Sequence, residues 1–263
     1  MKEGSKKGIM VVVVVALIAA AGIFYAVNNN GGNQDSGNQD NKSSSNGQQV
    51  SSEPQKFQIT IENVSTKETL ATSKGSVPVP LSPPVYAVYD GDNPEFIPGQ
   101  AASKQLELIA EDGFPMEMVG YLKGLSNVSE AGALLKSEAE PPFLPGDKNS
   151  FEVIIKSGQK LSLVTMFVQS NDLFIGAENG INLFDESGQP ISGDITSQFQ
   201  LWDAGTEMNQ EPGVGEDTKP MQGAEATDVG PKESEVVRLV SEVSDGYTYP
   251  SLDKVIRVTV TPL

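Results

Sequence analysis

Residues 57–62 read Phe-Gln-Ile-Thr-Ile-Glu, and this short stretch indicates the kind of secondary structure that dominates the chain. Apolar and polar residues alternate with a period of two, which is typical of a β-strand with one buried face. Residues 151–155 and 161–168 are also rich in β-branched and aromatic residues. Because Ser157-Gly158-Gln159 separates them, we predict that they form a β-hairpin. Further strands are predicted at residues 195–202, 236–243 and 255–260.

Helical patterns are confined to one region of the chain. Ser103–Glu111 carries apolar residues at helical spacing, with Ser103 as a predicted N-cap and Gly113 just after the end. Met116–Leu122 is predicted as a second short helix. Strands and helices do not alternate along the chain, which argues against a parallel sheet. We therefore expect an all-β fold, an antiparallel β-sandwich with Greek-key-like connections and short helices near residues 101–124.

The N-terminus predicts a membrane-directed segment. Lys2, Lys6 and Lys7 precede Ile9–Val27, an apolar run of 19 residues without charge. A helix of this length matches the hydrocarbon thickness of a bilayer, and the preceding basic residues favour a cytoplasmic N-terminus. A signal anchor accounts for the whole run and is preferred, whereas a signal peptide cleaved after Ala21 would yield a secreted protein.

The predicted organisation has three parts. Residues 1–27 form the signal anchor or signal peptide, and residues 28–55 form a disordered linker rich in Asn, Gly, Ser and Gln. Residues 56–263 form the folded domain, which we expect at the cell surface.

Composition removes several classes of function. The chain has 35 acidic and 18 basic residues, a net charge of −17, and neither His nor Cys. A Ser-His-Asp triad, a Cys nucleophile, a disulfide and a zinc site built from His or Cys are therefore impossible. The acidic excess argues against nucleic acid, which is bound through Lys and Arg. Only oxygen ligands remain for a metal ion.

Two acidic segments follow predicted strands. Ser170-Asn171-Asp172 comes after one strand, and Asp203-Ala204-Gly205-Thr206-Glu207 comes after another. If they meet at one end of the sandwich, the three carboxylates repel one another unless a cation is bound, and hard oxygen ligands suit calcium. Asp and Asn are also common in ordinary turns, so the spacing alone leaves both interpretations open.

The same segments carry a family resemblance. Residues 170–176 (SNDLFIG), 201–207 (LWDAGTE), 249–252 (YPSL) and 256–260 (IRVTV) resemble, in this order, the spondin amino-terminal domain family. The resemblance extends over roughly residues 56–263. It implies a β-sandwich similar to calcium-dependent membrane-binding domains of the synaptotagmin type, with a calcium ion (Ca2+) held at one pole by Asp172, Asp203 and Glu207. The chain departs from the animal pattern because Glu207 replaces an Asp and the disulfide is absent.

The function expected from these features is an extracellular, membrane-tethered, calcium-binding adhesion or ligand-binding module without catalysis. Its partner would be an extracellular protein or a glycan, and its contact with the membrane would be the N-terminal helix. One alternative is a structural cell-envelope domain that binds no metal. Another is a carbohydrate-acting hydrolase with paired acids, for which Glu152, Asp185 and Asp194 are candidates, although their spacing selects no pair.

Overall fold

The computed structural model describes residues 53–137, 142–223 and 227–263. The helices in this part of the chain are α1 (Lys104–Asp112) and α2 (Met116–Lys123). The strands are β1 (Gln55–Asn63), β2 (Leu70–Thr72), β3 (Gly75–Val77), β4 (Val85–Tyr89), β5 (Val128–Ala133), β6 (Lys148–Ile155), β7 (Lys160–Met166), β8 (Leu173–Gly176), β9 (Gly193–Asp194), β10 (Gln200–Asp203), β11 (Arg238–Leu239) and β12 (Ile256–Pro262).

The predicted N-terminal helix Ile9–Val27 and nearly all of the linker at residues 28–55 lie outside the described residues. Within the described residues, neither helix has the length and apolar character needed to cross a bilayer.

The strands form three antiparallel sheets. A four-stranded sheet has the order β6-β1-β12-β9, a six-stranded sheet has the order β11-β10-β8-β7-β4-β5, and β2 pairs with β3. Every strand pairing in these sheets is antiparallel. The prediction of a β-rich antiparallel fold with two short helices near residues 101–124 is therefore confirmed.

One hydrophobic core joins the two larger sheets. The apolar side of β1 packs into it, and residues of the six-stranded sheet and its connections pack against that side. Eight buried residues from both sheets and their connections illustrate this core: Phe57, Ile59, Ile61, Leu163, Phe167, Phe199, Leu201 and Val258. Because both ends of the folded unit lie in β1 and β12, which pair over seven residues, the core depends on contacts distant in sequence.

Helices α1 and α2 cover the opposite face of the six-stranded sheet. Leu106, Ile109 and Met118 of the helices join a second core with Val164 and Phe174 of the sheet. The helix boundaries follow the predicted caps: Ser103 Oγ accepts the Leu106 N–H at 3.1 Å, and Gly113 ends α1 with φ of 71°. The central strands of this sheet are consequently buried on both faces.

The predicted hairpin at residues 151–168 is wrong. β6 pairs with β1 in the four-stranded sheet, whereas β7 pairs with β4 and β8 in the six-stranded sheet. The turn between them carries the chain from one sheet to the other. β6 alternates between exposed and more buried residues, as suits an edge strand, and β7 is buried along almost its whole length. Alternation indicates that a strand exists but does not identify its partner.

Two further predicted strands are shorter than expected. Thr196–Gln198 forms a 3₁₀ turn before β10, and Val240–Glu242 forms another directly after the two residues of β11. The carboxylate of Asp194 accepts the Thr196 N–H at 2.8 Å at the start of the first turn. Local hydrogen bonds of this kind compete with ladder formation, so β-branched residues here do not extend the strands.

Candidate metal centre

Strand register brings two of the predicted ligands side by side. Asp172 ends the loop between β7 and β8, and Asp203 is the last residue of β10. β10 pairs with β8 so that Asp203 lies opposite Leu173, the residue after Asp172. Both aspartates are fully buried. The loops that carry Asp172, Asp203 and Glu207 therefore meet at one end of the six-stranded sheet, which we term the acidic pole.

A tight turn at residues 204–207 wraps around the carboxylate of Asp172. Oδ2 of Asp172 accepts the N–H of Thr206 at 2.8 Å, its hydroxyl at 3.2 Å and the N–H of Glu207 at 3.0 Å. Oδ1 of Asp172 is buried without a hydrogen-bond partner. Gly205 permits the turn through a φ of 71°, and a Cβ there would lie 2.8 Å from the carbonyl carbon of Glu235.

Asp203 has both polar and basic neighbours. Its Oδ1 accepts the Gly205 N–H at 2.8 Å, and its Oδ2 accepts the side-chain amide of Asn209 at 2.6 Å. Arg238, which β11 places opposite Asp203, lies 3.6 Å from Oδ1. The guanidinium also lies 3.0 Å from Glu233 and 3.4 Å from Glu235, so its charge is divided among three acids.

Glu207 points toward helix α1. Its Oε1 lies 3.3 Å from Nζ of Lys232, which also lies 3.2 Å from Glu111 and 3.9 Å from Glu107. Lys232 forms a further ion pair with Asp228. Glu207 is fully buried, and its Oε2 has no hydrogen-bond partner.

The acidic pole therefore includes residues that the sequence did not single out. Oxygen atoms of Glu107, Glu111 and Asp228 lie within 4.8 Å of one another, and among the described residues this is the one set of three acids gathered so closely. Asp172, Asp203 and Glu207 are neighbours without meeting that distance. The spacing of Glu107 and Glu111 on one face of α1 is a signal that could have been noticed. Lys232 lies within residues 203–235, a stretch rich in acidic residues, and no local sequence pattern singles it out.

Burial raises the pKa of the acids at the acidic pole. Burial is the main cause of the raised pKa of Asp172, and the negative charge of Asp203 raises this pKa further. It also raises the pKa of Asp203, although Arg238 opposes the shift. The pKa of Glu207 rises to about 7, first by burial and then through the charge of Glu111, with Lys232 opposing. Each shift means that the ionised carboxylates lack sufficient positive charge or solvent around them.

The donor set fits calcium in its chemistry. Oδ1 of Asp172 and Oε2 of Glu207 are buried carboxylate oxygens without partners, and such atoms are costly unless a cation or donor reaches them. Calcium takes six to eight oxygen ligands in a flexible arrangement, which carboxylates, carbonyls and water supply. Asp172, Asp203 and Glu207 would hold the ion, and its two positive charges would offset part of the negative charge of the three carboxylates.

The fold and the acidic pole together define a β-rich antiparallel domain with carboxylates buried at one end of a sheet. A scan of protein-family models matches Spondin_N over residues 91–219, a range that includes Asp172, Asp203 and Glu207. This match supports the resemblance of its sequence motifs to the spondin N-terminal domain family. Strands β1 and β12 lie outside the matched range, so the folded unit extends beyond it. A search of curated proteins finds no match.

Proposed function

We propose that this chain is an extracellular, membrane-tethered, calcium-binding module for adhesion or ligand binding, without catalytic activity. In this proposal the two larger sheets form an antiparallel β-sandwich with Greek-key-like connections, and Ile9–Val27 anchors the domain outside the cell. Asp172, Asp203 and Glu207 hold the calcium ion. The partner is an extracellular protein or a glycan.

The observation that supports calcium most strongly is the unpartnered Oδ1 of Asp172. This atom is buried, and the other oxygen of the same carboxylate accepts three hydrogen bonds from the 204–207 turn. The turn therefore fixes the carboxylate with one oxygen free to bind an ion. A preformed ligand of this kind lowers the ordering cost of binding.

The three acids named as candidates for a carbohydrate-acting hydrolase are poorly suited to that role. Retaining and inverting glycosidases need one carboxylic acid with a raised pKa to protonate the leaving group. The pKa of Asp185 is lowered, first by its hydrogen bond to Ser187, and that of Asp194 is lowered, first by Thr196. Glu152 lies on an exposed part of β6 and pairs with Lys56. These side chains suit solvated turns and ion pairs better than general-acid chemistry.

One observation favours a second candidate, a structural domain that binds no metal. Lys232 and Arg238 already place positive charge beside Glu207 and Asp203, at 3.3 and 3.6 Å. If these two side chains fully compensate the acids, calcium adds nothing to stability. The two candidates therefore differ in one measurable property, the response to calcium.

Thermal unfolding and calorimetric titration of the full-length protein test the proposal. At a calcium concentration about 100 times the dissociation constant, folding should gain about 2.7 kcal/mol over the protein in chelator. Asp203→Asn removes a ligand charge while keeping the shape of the side chain, so it should abolish most of that gain. Asp253→Asn, at an exposed position away from the acidic pole, is the matched control and should keep it.

Equal melting temperatures with calcium and with chelator, together with no heat of calcium binding, would reject the proposal in favour of the metal-free structural domain. A calcium response that Asp203→Asn leaves intact would show that the ion binds elsewhere. Magnesium serves as a specificity control, since it demands octahedral geometry and releases its water reluctantly.

A further inference from the structure

A short segment of the chain lies across the acidic pole and carries a lysine into it. Residues 231–235, which we term the strap, run antiparallel to the 205–208 turn. The N–H of Met208 donates to the carbonyl of Pro231 at 2.9 Å, and the N–H of Glu233 donates to that of Thr206 at 2.9 Å. This backbone pairing places Lys232 directly opposite Glu207. The position of the lysine is therefore set by the main chain and not by chance contact of a long side chain.

The ammonium of Lys232 is surrounded by carboxylates from three parts of the chain. Glu207 lies at 3.3 Å, Glu111 and Glu107 of helix α1 lie at 3.2 and 3.9 Å, and Asp228 forms a fourth pair. Four acids thus share one positive charge at a point where oxygen ligands converge. The Lys232 ammonium thus lies among these carboxylates in the position that a bound cation would take.

Lys232 and Glu207 differ in their exposure to solvent. Glu207 is fully buried, whereas the side chain of Lys232 is 44 % exposed. A buried carboxylate cannot turn away to water, so the ionised form of Glu207 needs a positive charge beside it. A lysine with an exposed, flexible four-carbon stem can release its ammonium to solvent at small cost.

Resting on the calcium site proposed above, we propose that the Lys232 ammonium and calcium compete for Glu207. Without calcium, the ammonium neutralises Glu207 and keeps the strap docked on the turn. With calcium, the divalent ion takes the carboxylate, and the ammonium moves out because two adjacent cations repel each other. Lys232 thereby lowers the affinity for calcium and sets the concentration at which the site fills.

Arg238 does not have the same role. Its guanidinium is 20 % exposed and is held by Glu233 at 3.0 Å and Glu235 at 3.4 Å as well as by Asp203. Its distance of 3.6 Å from Asp203 exceeds that of a hydrogen bond. Arg238 is therefore a fixed neighbour of the site, and Lys232 is the exchangeable cation.

Calcium titration calorimetry of the full-length protein tests this competition with Lys232→Met. Lys104→Met is the matched control, because it also replaces a lysine by methionine. Lys104 lies on helix α1 and pairs with Glu107 at 2.9 Å, not with Glu207. Lys232→Met should bind calcium at least tenfold more tightly than the wild type and should melt at a lower temperature in chelator. Lys104→Met should stay within threefold of the wild-type affinity.

Lys232→Gln is a second variant in case Lys232→Met fails to fold. It keeps a hydrogen-bond donor for Glu207 but removes the charge, so it should also bind calcium more tightly than the wild type. Unchanged or weaker calcium binding by both Lys232 variants, with the wild type binding normally, would overturn the competition and leave the proposed function intact. Calcium binding by the two Lys232 variants but not by the wild type would support the competition and reject calcium as a ligand of the native protein. Absence of binding in all four proteins would overturn both proposals.

Discussion

Glu95 is a buried acid away from the acidic pole, and its replacement by Gln offers a quantitative test of the electrostatics of this fold. The residue is 2 % exposed, and neither carboxylate oxygen has a hydrogen-bond partner. It precedes Phe96, which packs between the helices and the six-stranded sheet. Burial raises the pKa of Glu95 from its ordinary value of 4.5 to about 8. The folded protein therefore keeps this group protonated at neutral pH, whereas the unfolded chain ionises it.

The sign and size of the effect follow from this difference in proton binding. For an acid with a raised pKa, the stabilisation is complete below the unfolded value of 4.5 and is lost as the pH rises toward the folded value of about 8. Within that window the folded state holds one more proton, which costs about 1.4 kcal/mol per pH unit. Between pH 5 and pH 7 the wild type should thus lose about 2.7 kcal/mol through Glu95.

Urea unfolding in chelator at several pH values measures this loss. Glu95→Gln cannot ionise, so its free energy of unfolding should rise relative to that of the wild type by about 2.7 kcal/mol from pH 5 to pH 7. The difference should level off above pH 8. Glu117→Gln, at an exposed position of α2, should follow the wild-type curve. Wild-type and Glu95→Gln curves that stay parallel over this range would refute the argument that burial controls this carboxyl.

Three further predictions concern the core and the acidic pole. Phe199→Ala should lower the free energy of unfolding by about 3–5 kcal/mol, because a buried aromatic side chain leaves a cavity; a loss below about 1 kcal/mol in urea unfolding would show that the ring does not pack in the core. Gly205→Ala should lower the melting temperature and weaken calcium binding, since the new Cβ collides with Glu235; calorimetry showing wild-type affinity would contradict this. Calcium should stabilise the protein more at pH 8 than at pH 5.5, because burial raises the pKa values of Asp172 and Glu207 and protons compete with the ion; equal shifts in melting temperature at both pH values would contradict it.

Local signals in the sequence were sufficient for several elements. The alternation of residues 57–62 predicted β1 and its buried face, and all three apolar residues there are fully buried. Ser103 and Gly113 predicted both ends of α1, because an N-cap hydroxyl and a left-handed C-cap act within one helical turn. The family motifs singled out Asp172 and Asp203, and the pairing of β8 with β10 in the structure brings them together.

Sheet membership and the composition of the acidic pole depended on contacts that no local pattern records. β6 and β7 are adjacent in sequence, but each is buried to a different extent and pairs in a different sheet. Lys232 meets Glu207 across 25 residues and Glu111 across 121 residues, and neither separation has a periodicity that links them. Alternation, capping and turn chemistry act between near neighbours and are therefore visible in the amino-acid order. The partner of a strand or of a buried charge is selected by packing of the whole chain, because desolvation and burial are defined only once distant segments have come together.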